Sequence, residues 1–283
     1  RLAMFNARFM PDDRTVIYSA ATSGNEASLF ELRPDAGMPR GFGPPRTHLL
    51  AIAATGELAV LTEAQYINHR LFRGTLARMS LDGAPRSIAS GVRDADWLPD
   101  GSDLAAVREV PGGDQLEFPM GHVVHRTAGY LSAPRVSPDG THVAFLEHPA
   151  KFDNRGWAKV VDRNGRVTTL SDQYWGAETM AWSPDGRTVT YAGATTGDYQ
   201  AYSARADGST PPTAILRSPG SLYIHDTTAD NRMLVTREDA LSGVVARGAA
   251  GPAGTAAKRR TPSASHQPSS AVIARSSSAN PAW

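Results

Sequence analysis

Two histidines three residues apart, His122 and His125, are the nearest thing in this chain to a metal-binding signal. On a strand that spacing sends the rings to opposite faces, so they share no ion without a bulge. They are read as ordinary surface or loop histidines, as are His142 and His148, which bracket a strand. Cysteine is absent, which excludes disulfides, thiolate metal sites and a cysteine nucleophile. Phosphoryl transfer needs a glycine-rich loop, a strand lysine and the His-Arg-Asp and Asp-Phe-Gly motifs. None occurs, and Asn68-His69-Arg70-Leu71 has no Asp after its Arg. The strained G-x-S-x-G elbow of α/β hydrolases is missing as well, and no pair of carboxylates stands out for glycoside hydrolysis. The reading is a non-catalytic chain with no metal and no cofactor.

The chain has 283 residues, with 29 basic and 28 acidic side chains, a net charge of +1 and 41% apolar residues. No run approaches the 18 apolar residues of a membrane-spanning helix, so direct membrane insertion is not expected. All acidic residues lie within 1–250, a body of net charge −3, while the last 33 residues carry four bases and no acid. Such a body offers no electrostatic footing for nucleic acid. The chain starts at Arg1 without a basic-then-apolar leader, and is read as a fragment or processed piece.

The elements that must position any site come from an internal repeat. A turn recurs at Met10-Pro11-Asp12-Asp13, Leu98-Pro99-Asp100-Gly101, Ser137-Pro138-Asp139-Gly140 and Ser183-Pro184-Asp185-Gly186, with weaker copies at Ala54-Thr55-Gly56 and Ala229-Asp230-Asn231. The last turn positions are 13, 56, 101, 140, 186 and 231, a mean step of 43.6 residues, the length of one four-stranded propeller blade. Pro sets φ at the second position of a type I turn, and Gly then takes the left-handed conformation. Asp13 and Asn231 replace Gly with the residue types that best tolerate positive φ. Each turn is followed by a continuous apolar run, as in Val143-Ala144-Phe145-Leu146, the pattern of a strand buried on both faces. A second turn half a period later, for example Asn164-Gly165 and Asp207-Gly208, makes two hairpins per repeat.

The expected fold is therefore all-β, a propeller of six four-stranded blades over 1–250, bounded near 1–47, 48–92, 93–130, 131–175, 176–218 and 219–250. Helix content should be near zero. Residues 251–283 draw 23 of their 33 residues from Gly, Pro, Ala, Ser and Thr and are read as a disordered tail, either natural or an out-of-frame extension of a truncated gene. The sixth blade then lacks outer strands. Propellers that pair strands between first and last blades hide their edges, so a low melting temperature or self-association is expected here.

In this architecture the strand before each turn lines the channel, and the loop between second and third strands opens at the opposite mouth. Channel candidates are Arg8, Asp94, Asp96, Arg135, Thr179, His225 and Asp226. Loop candidates are Asn25, Glu26, Tyr66, His69, Arg70, Phe72, Arg73, Asp114, Glu117, Asp153, Arg155, Asp198 and Tyr199. The segment from Glu63 to Arg73 mixes aromatic and basic side chains, types enriched at interfaces. Trp97 and Trp182 precede the turn at equivalent positions and are assigned to packing between blades.

Pro-Asp-Gly turns preceded by Ser or Trp-Ser and followed by an apolar strand resemble the WD40-like repeats of TolB-type β-propellers, over residues 1–250. Three stretches narrow the resemblance: Gly74-Thr75-Leu76-Ala77-Arg78, Leu116-Glu117-Phe118-Pro119-Met120-Gly121, and Pro134-Arg135-Val136-Ser137-Pro138-Asp139-Gly140 with the strand after it. They look like the propeller region of bacterial membrane-anchored serine/threonine protein kinases. That resemblance implies a sensor module in an extracytoplasmic or regulatory position, binding a protein, a peptide or a small ligand at the propeller mouth. Related propellers also gate prolyl-oligopeptidase-like serine hydrolases, which leaves a gating propeller without its catalytic domain as the alternative. Sialidase boxes resemble Ser137-Pro138-Asp139-Gly140-Thr141 only in part, because the Ser-x-Asp-x-Gly-x-Thr-Trp spacing is not completed.

Overall fold

The computed structural model describes residues 3–33, 35–68, 70–218 and 220–238, together with the backbone of 270–275. Among these residues there is no helix; every regular element is a strand. The first sheet is β1 (Ala3–Phe9), β2 (Val16–Ala21), β3 (Ser28–Leu32) and β4 (Arg40–Phe42), each antiparallel to the next. The fourth blade repeats it with β12 (Tyr130–Val136), β13 (His142–His148), β14 (Trp157–Asp162) and β15 (Val167–Thr169). The fifth blade does so with β16 (Gly176–Trp182), β17 (Thr188–Ala194), β18 (Tyr199–Arg205) and β19 (Thr213–Arg217).

Blades two and three share a strand. They comprise β5 (His48–Ile52), β6 (Leu58–Asn68), β7 (Leu71–Met79), β8 (Arg86–Trp97), β9 (Leu104–Val110), β10 (Gly113–Glu117) and β11 (Val123–Thr127) in one continuous sheet. The first half of β8 pairs with β7 and is the outer strand of blade two; from Val92 it pairs with β9 and is the inner strand of blade three. Gly91, at φ +69, turns the chain between the two roles.

All six repeat turns have the conformation their residue types require. Asp13, Gly56, Gly101, Gly140, Gly186 and Asn231 all lie at positive φ, between 53° and 84°. In each, the backbone N–H of that residue donates to the carbonyl three positions earlier, as in Gly140 to Ser137 at 2.8 Å. The aspartate ahead of the glycine accepts backbone N–H groups beyond the turn: Asp139 from Thr141 at 3.0 Å, Asp185 from Arg187 at 3.1 Å. The Ser137 and Ser183 hydroxyls, donating to these carboxylates at 2.6 Å, and then the backbone bonds hold Asp139 and Asp185 below the usual range. The second strands that follow are buried across their width, β2 and the Val143–Leu146 stretch of β13 among them, because each blade is covered by its two neighbours.

The sixth blade is β20 (Ser221–Thr227), β21 (Arg232–Glu238) and β22 (Ser270–Arg275). The third strand comes from the segment read as a tail: the run 271–274 pairs antiparallel with β21, Val235 opposite Val272. A short apolar run can extend a blade at a distance in sequence, since pairing needs only a matching edge. The rest of 251–283 lies outside the described residues.

The first and sixth blades meet through packing and hydrogen bonds. Among the described residues no strand of the first sheet pairs with the sixth; β1 packs directly against β20. Asp226 accepts the Phe9 backbone N–H at 2.9 Å, Arg8 donates to the His225 carbonyl at 2.6 Å, and Arg232 donates to the Asp13 carbonyl at 2.9 Å.

Both tryptophans sit between blades, buried, with different polar ends. Trp182 Nε1 donates to the Arg135 carbonyl across the blade seam at 2.8 Å. Trp97 Nε1 has no hydrogen-bond partner and its ring lies under the Arg78 guanidinium at 5.0 Å. Trp182→Phe should therefore destabilise more than Trp97→Phe, by about 1 kcal/mol, the net worth of one buried hydrogen bond. Urea unfolding of the two variants checks this, and equal losses would refute it.

Candidate functional site: the polar channel and its capped mouth

Every inner strand is broken by a register irregularity part-way along its length, between Met4 and Asn6, Leu49 and Ala51, Val92 and Asp94, Ser132 and Arg135, Glu178 and Met180, and Ile224 and Asp226. A bulge re-aims the side chains around it. Here it precedes, in all six blades, the position five residues before the left-handed turn residue. That position holds Arg8, Ala51, Asp96, Arg135, Ala181 and Asp226 in blade order. Residue types therefore recur three blades apart, Arg with Arg, Ala with Ala and Asp with Asp.

The acidic members stitch blade to blade. Asp96 accepts the Val136 N–H at 2.8 Å, in the same relation as Asp226 to Phe9. One layer nearer the mouth, Asp94 accepts the Ala133 N–H at 3.0 Å, and Asn6 donates to the Leu49 carbonyl at 3.0 Å. Burial pushes the carboxyls of Asp94, Asp96 and Asp226 up, while Arg8 and Arg135 oppose it. Burial, then Arg135, lowers Arg8 to about 10. Above this layer lies a cavity of about 50 Å3 bordered by Arg70, Arg93, Ser132, Arg135, Asn154 and Glu178 among others, room for a few waters.

Arg70 closes the mouth over that cavity. It sits at the tip of the β6–β7 hairpin at φ +64, a strained conformation for arginine, which persists only where surrounding contacts over-determine it. Its guanidinium donates to the carbonyls of Met4 and Phe5 in blade one. It also pairs with Glu238 at 2.9 Å and lies 3.5 Å over the Tyr223 ring, both in blade six. One side chain from blade two thus reaches across the channel entrance.

Beside it, burial pushes the Glu178 carboxyl up to about 7, against the pull of Arg70 and a hydrogen bond from Asn154 at 2.8 Å. Asn154 is also 2.8 Å from the Tyr199 hydroxyl. A carboxyl titrating near neutrality beside an arginine suits exchange of hydrogen bonds with a polar ligand. Two Ser–His pairs lie close by, Ser132 Oγ with His148 Nε2 at 2.9 Å and Ser19 Oγ with His48 Nδ1 at 2.8 Å. His148 is 1% exposed and stacked on Tyr130; His48 is 5% exposed and stacked on Phe72. Ser132, His148 and His48 all border the cavity, and the same pairing at two places satisfies polar groups in a largely buried wall.

The structure brings together Arg8, Asp94, Asp96, Arg135 and Asp226 at the channel. His225 is turned into its own blade, with Nε2 2.9 Å from Thr236 on β21. Arg70 reaches the mouth, and Arg73 pairs with Glu109 at 3.3 Å on the rim. Tyr66 packs on Phe5 and Phe72. His69 lies outside the described residues.

Glu117, expected in a loop, is instead at the end of β10 and buried; it accepts the Gly121 N–H at 2.9 Å and braces the turn after its strand. Asp114 is likewise in β10, accepting the Leu131 N–H at 3.0 Å. Because β10 follows a tight turn at Gly112 and Gly113, the blade-three loop is shorter than the residue spacing implied. His122 and His125 turn to different partners, the Arg163 carbonyl and Glu147.

Glu178, Asn154 and Glu238 escaped the sequence reading. Glu178 adjoins the channel candidate Thr179, and its one sequence signal is an acid in an apolar inner strand.

No family model matches the chain, and no curated protein matches it in sequence. Among solved structures it is similar to TolB from Acinetobacter baumannii, at 18% identity and TM-score 0.56, covering 76% of this chain and 54% of that one. It is similar to a protein from Agrobacterium tumefaciens assigned as TolB, at 15% identity and TM-score 0.61, covering 76% and 80%. It also matches a chain of a nidogen/laminin complex, at 10% identity and TM-score 0.54, covering 74% and 82%. The likeness is one of fold, that of TolB-type and related β-propellers. The chain spans about half the length of the Acinetobacter protein.

Proposed function

We propose that this chain is a non-catalytic binding module whose loop-bearing mouth takes a protein or peptide segment. The observation that carries the reading is Arg70, strained in backbone and laid across a polar cavity, held by groups a ligand can replace: two backbone carbonyls, the Glu238 carboxylate and an aromatic face. Around it, Tyr66, Arg73 and Tyr199 offer the aromatic and basic types from which interface hot spots are drawn. The finer proposal is a sensor region within a larger bacterial signalling protein of the membrane-anchored serine/threonine kinase type. It is supported by the three resembling stretches alone. These lie in β7, in β10 with its following turn, and in β12–β13, so they speak for parentage and not for the ligand.

The test is selection of a random displayed peptide library on the whole chain, followed by calorimetry of the selected peptides. The expected result is micromolar binding that changes at least about tenfold in Arg70→Ala and in Arg73→Ala, as for truncated hot spots. It should be unchanged in Arg14→Ala on the opposite face. A selection that enriches nothing, or peptides indifferent to both mouth variants, would overturn the reading.

A further inference from the structure

We propose that the channel ring holds one small monovalent anion, of chloride to carboxylate size, between Arg8 and Arg135. The two side chains occupy equivalent positions three blades apart, so their guanidinium groups face the same axis from opposite sides. The ring members between them are two aspartates and two alanines, Ala51 and Ala181, and the cavity of about 50 Å3 that Arg135, Asp94 and Thr179 border adjoins this layer.

Both cations are buried, Arg8 at 4% exposure and Arg135 at 6%, and neither has a carboxylate within ion-pair distance among the described residues. Other buried arginines do: Arg93 pairs with Glu109 at 3.0 Å and Arg70 with Glu238. Arg8 spends Nη1 on Asn6 Oδ1 and on the carbonyls of Ala7 and His225, and its Nη2 is left without a partner. Arg135 spends Nη1 on the Pro134 carbonyl, and its Nε is left without one. A buried guanidinium with an unmet N–H is costly, and two of them facing one axis also repel one another.

The nearby aspartates do not fill the gap. Asp94 and Asp226 each use both carboxylate oxygens on backbone N–H groups, and Asp96 uses one on Val136. Their negative ends are thereby turned into the seams between blades. What remains unmet on the cationic side of the ring is donor capacity, the Arg8 Nη2 and Arg135 Nε N–H groups, with the Thr179 hydroxyl one layer up and His225 Nδ1 also unpartnered. The occupant must accept hydrogen bonds, and a small anion does so while separating the two cations.

The probe is bromide, exchanged for chloride in crystals of the whole chain. The expected result is one anomalous peak within hydrogen-bond reach of Arg8 Nη2 and Arg135 Nε. In solution, sodium bromide, chloride and formate at constant ionic strength should raise Tm saturably. Half-saturation should weaken at least about tenfold in Arg135→Met, which removes one charged donor, and stay unchanged in Arg14→Ala. A channel holding ordered water with no anomalous peak would overturn the proposal, and so would an anion response equal in wild type and Arg135→Met. Should Arg135→Met fail to fold, the wild-type bromide experiment decides alone.

Discussion

Asp226→Ala is expected to lose about 2–3 kcal/mol of folding stability, the cost of removing a buried charged acceptor and leaving its N–H donor unsatisfied. Asp226 stands where the chain closes on itself: it accepts the backbone N–H of Phe9 in blade one and of Thr227 in its own strand. It is also the largest favourable charge acting on Arg8. Truncation orphans the Phe9 N–H and removes that charge at once. Asn replacement keeps an oxygen for Phe9 and should recover part of the loss. Asp96→Ala breaks the equivalent stitch between blades three and four, to Val136, but not the closing seam. Urea unfolding of the three variants is the measurement. Because no strand bridges the first and last blades among the described residues, Asp226→Ala should also show a sub-global opening in hydrogen exchange confined to β1 and β20. A loss under about 1 kcal/mol would mean that packing, and not this contact, closes the ring.

The second large effect is with pH. His48, His148 and His225 are buried neutral: burial brings His48 to about 3 and His148 to about 4, and holds His225 well below its ordinary value. Nearby arginines add to this at His48 and His225. The unfolded chain takes up protons at these positions below pH 6.5, while the folded chain does not. The stability they contribute is thus complete above 6.5 and is lost as pH falls towards their folded values. Each costs about 1.4 kcal/mol per pH unit in that window.

Glu178, raised to about 7, acts in the opposite sense between its unfolded value and 7, and offsets about one histidine. Raised carboxyls at Asp94, Asp96, Asp114 and Asp226 add to that opposition nearer their unfolded values. The net expectation is a fall of roughly 4 kcal/mol between pH 7 and pH 5, from two uncompensated histidines. That is a large share of a typical domain's 5–15 kcal/mol, to order of magnitude about half. Denaturation curves at pH 7.5, 6 and 5 test it; stability flat or rising towards pH 5 would refute the neutral burial of these rings. His148→Gln should flatten the slope and Glu178→Gln should steepen it.

The sequence by itself determined the all-β repeat and its turns; the sixth blade it read as ending near 250 takes its third strand from 270–275 instead. Turn chemistry is local: a left-handed residue after Pro-Asp is demanded by φ alone, so Asp13 and Asn231 were readable as stand-ins for glycine before any contact was known. Placing the strand before each turn at the channel also made Arg8, Asp96, Arg135 and Asp226 channel candidates, since the turn fixes which strand precedes it. The tertiary structure alone decided what those side chains meet. Arg70 caps the mouth because blade six lies within reach of a hairpin from blade two. Glu178 titrates near neutrality because the fold buries it beside Arg70 of blade two and Asn154 of blade four. The run 270–275 becomes the third strand of the sixth sheet because the edge of β21 is open to it. Charge–charge and desolvation energies depend on distances between residues far apart in the chain, and a sequence carries no such distances.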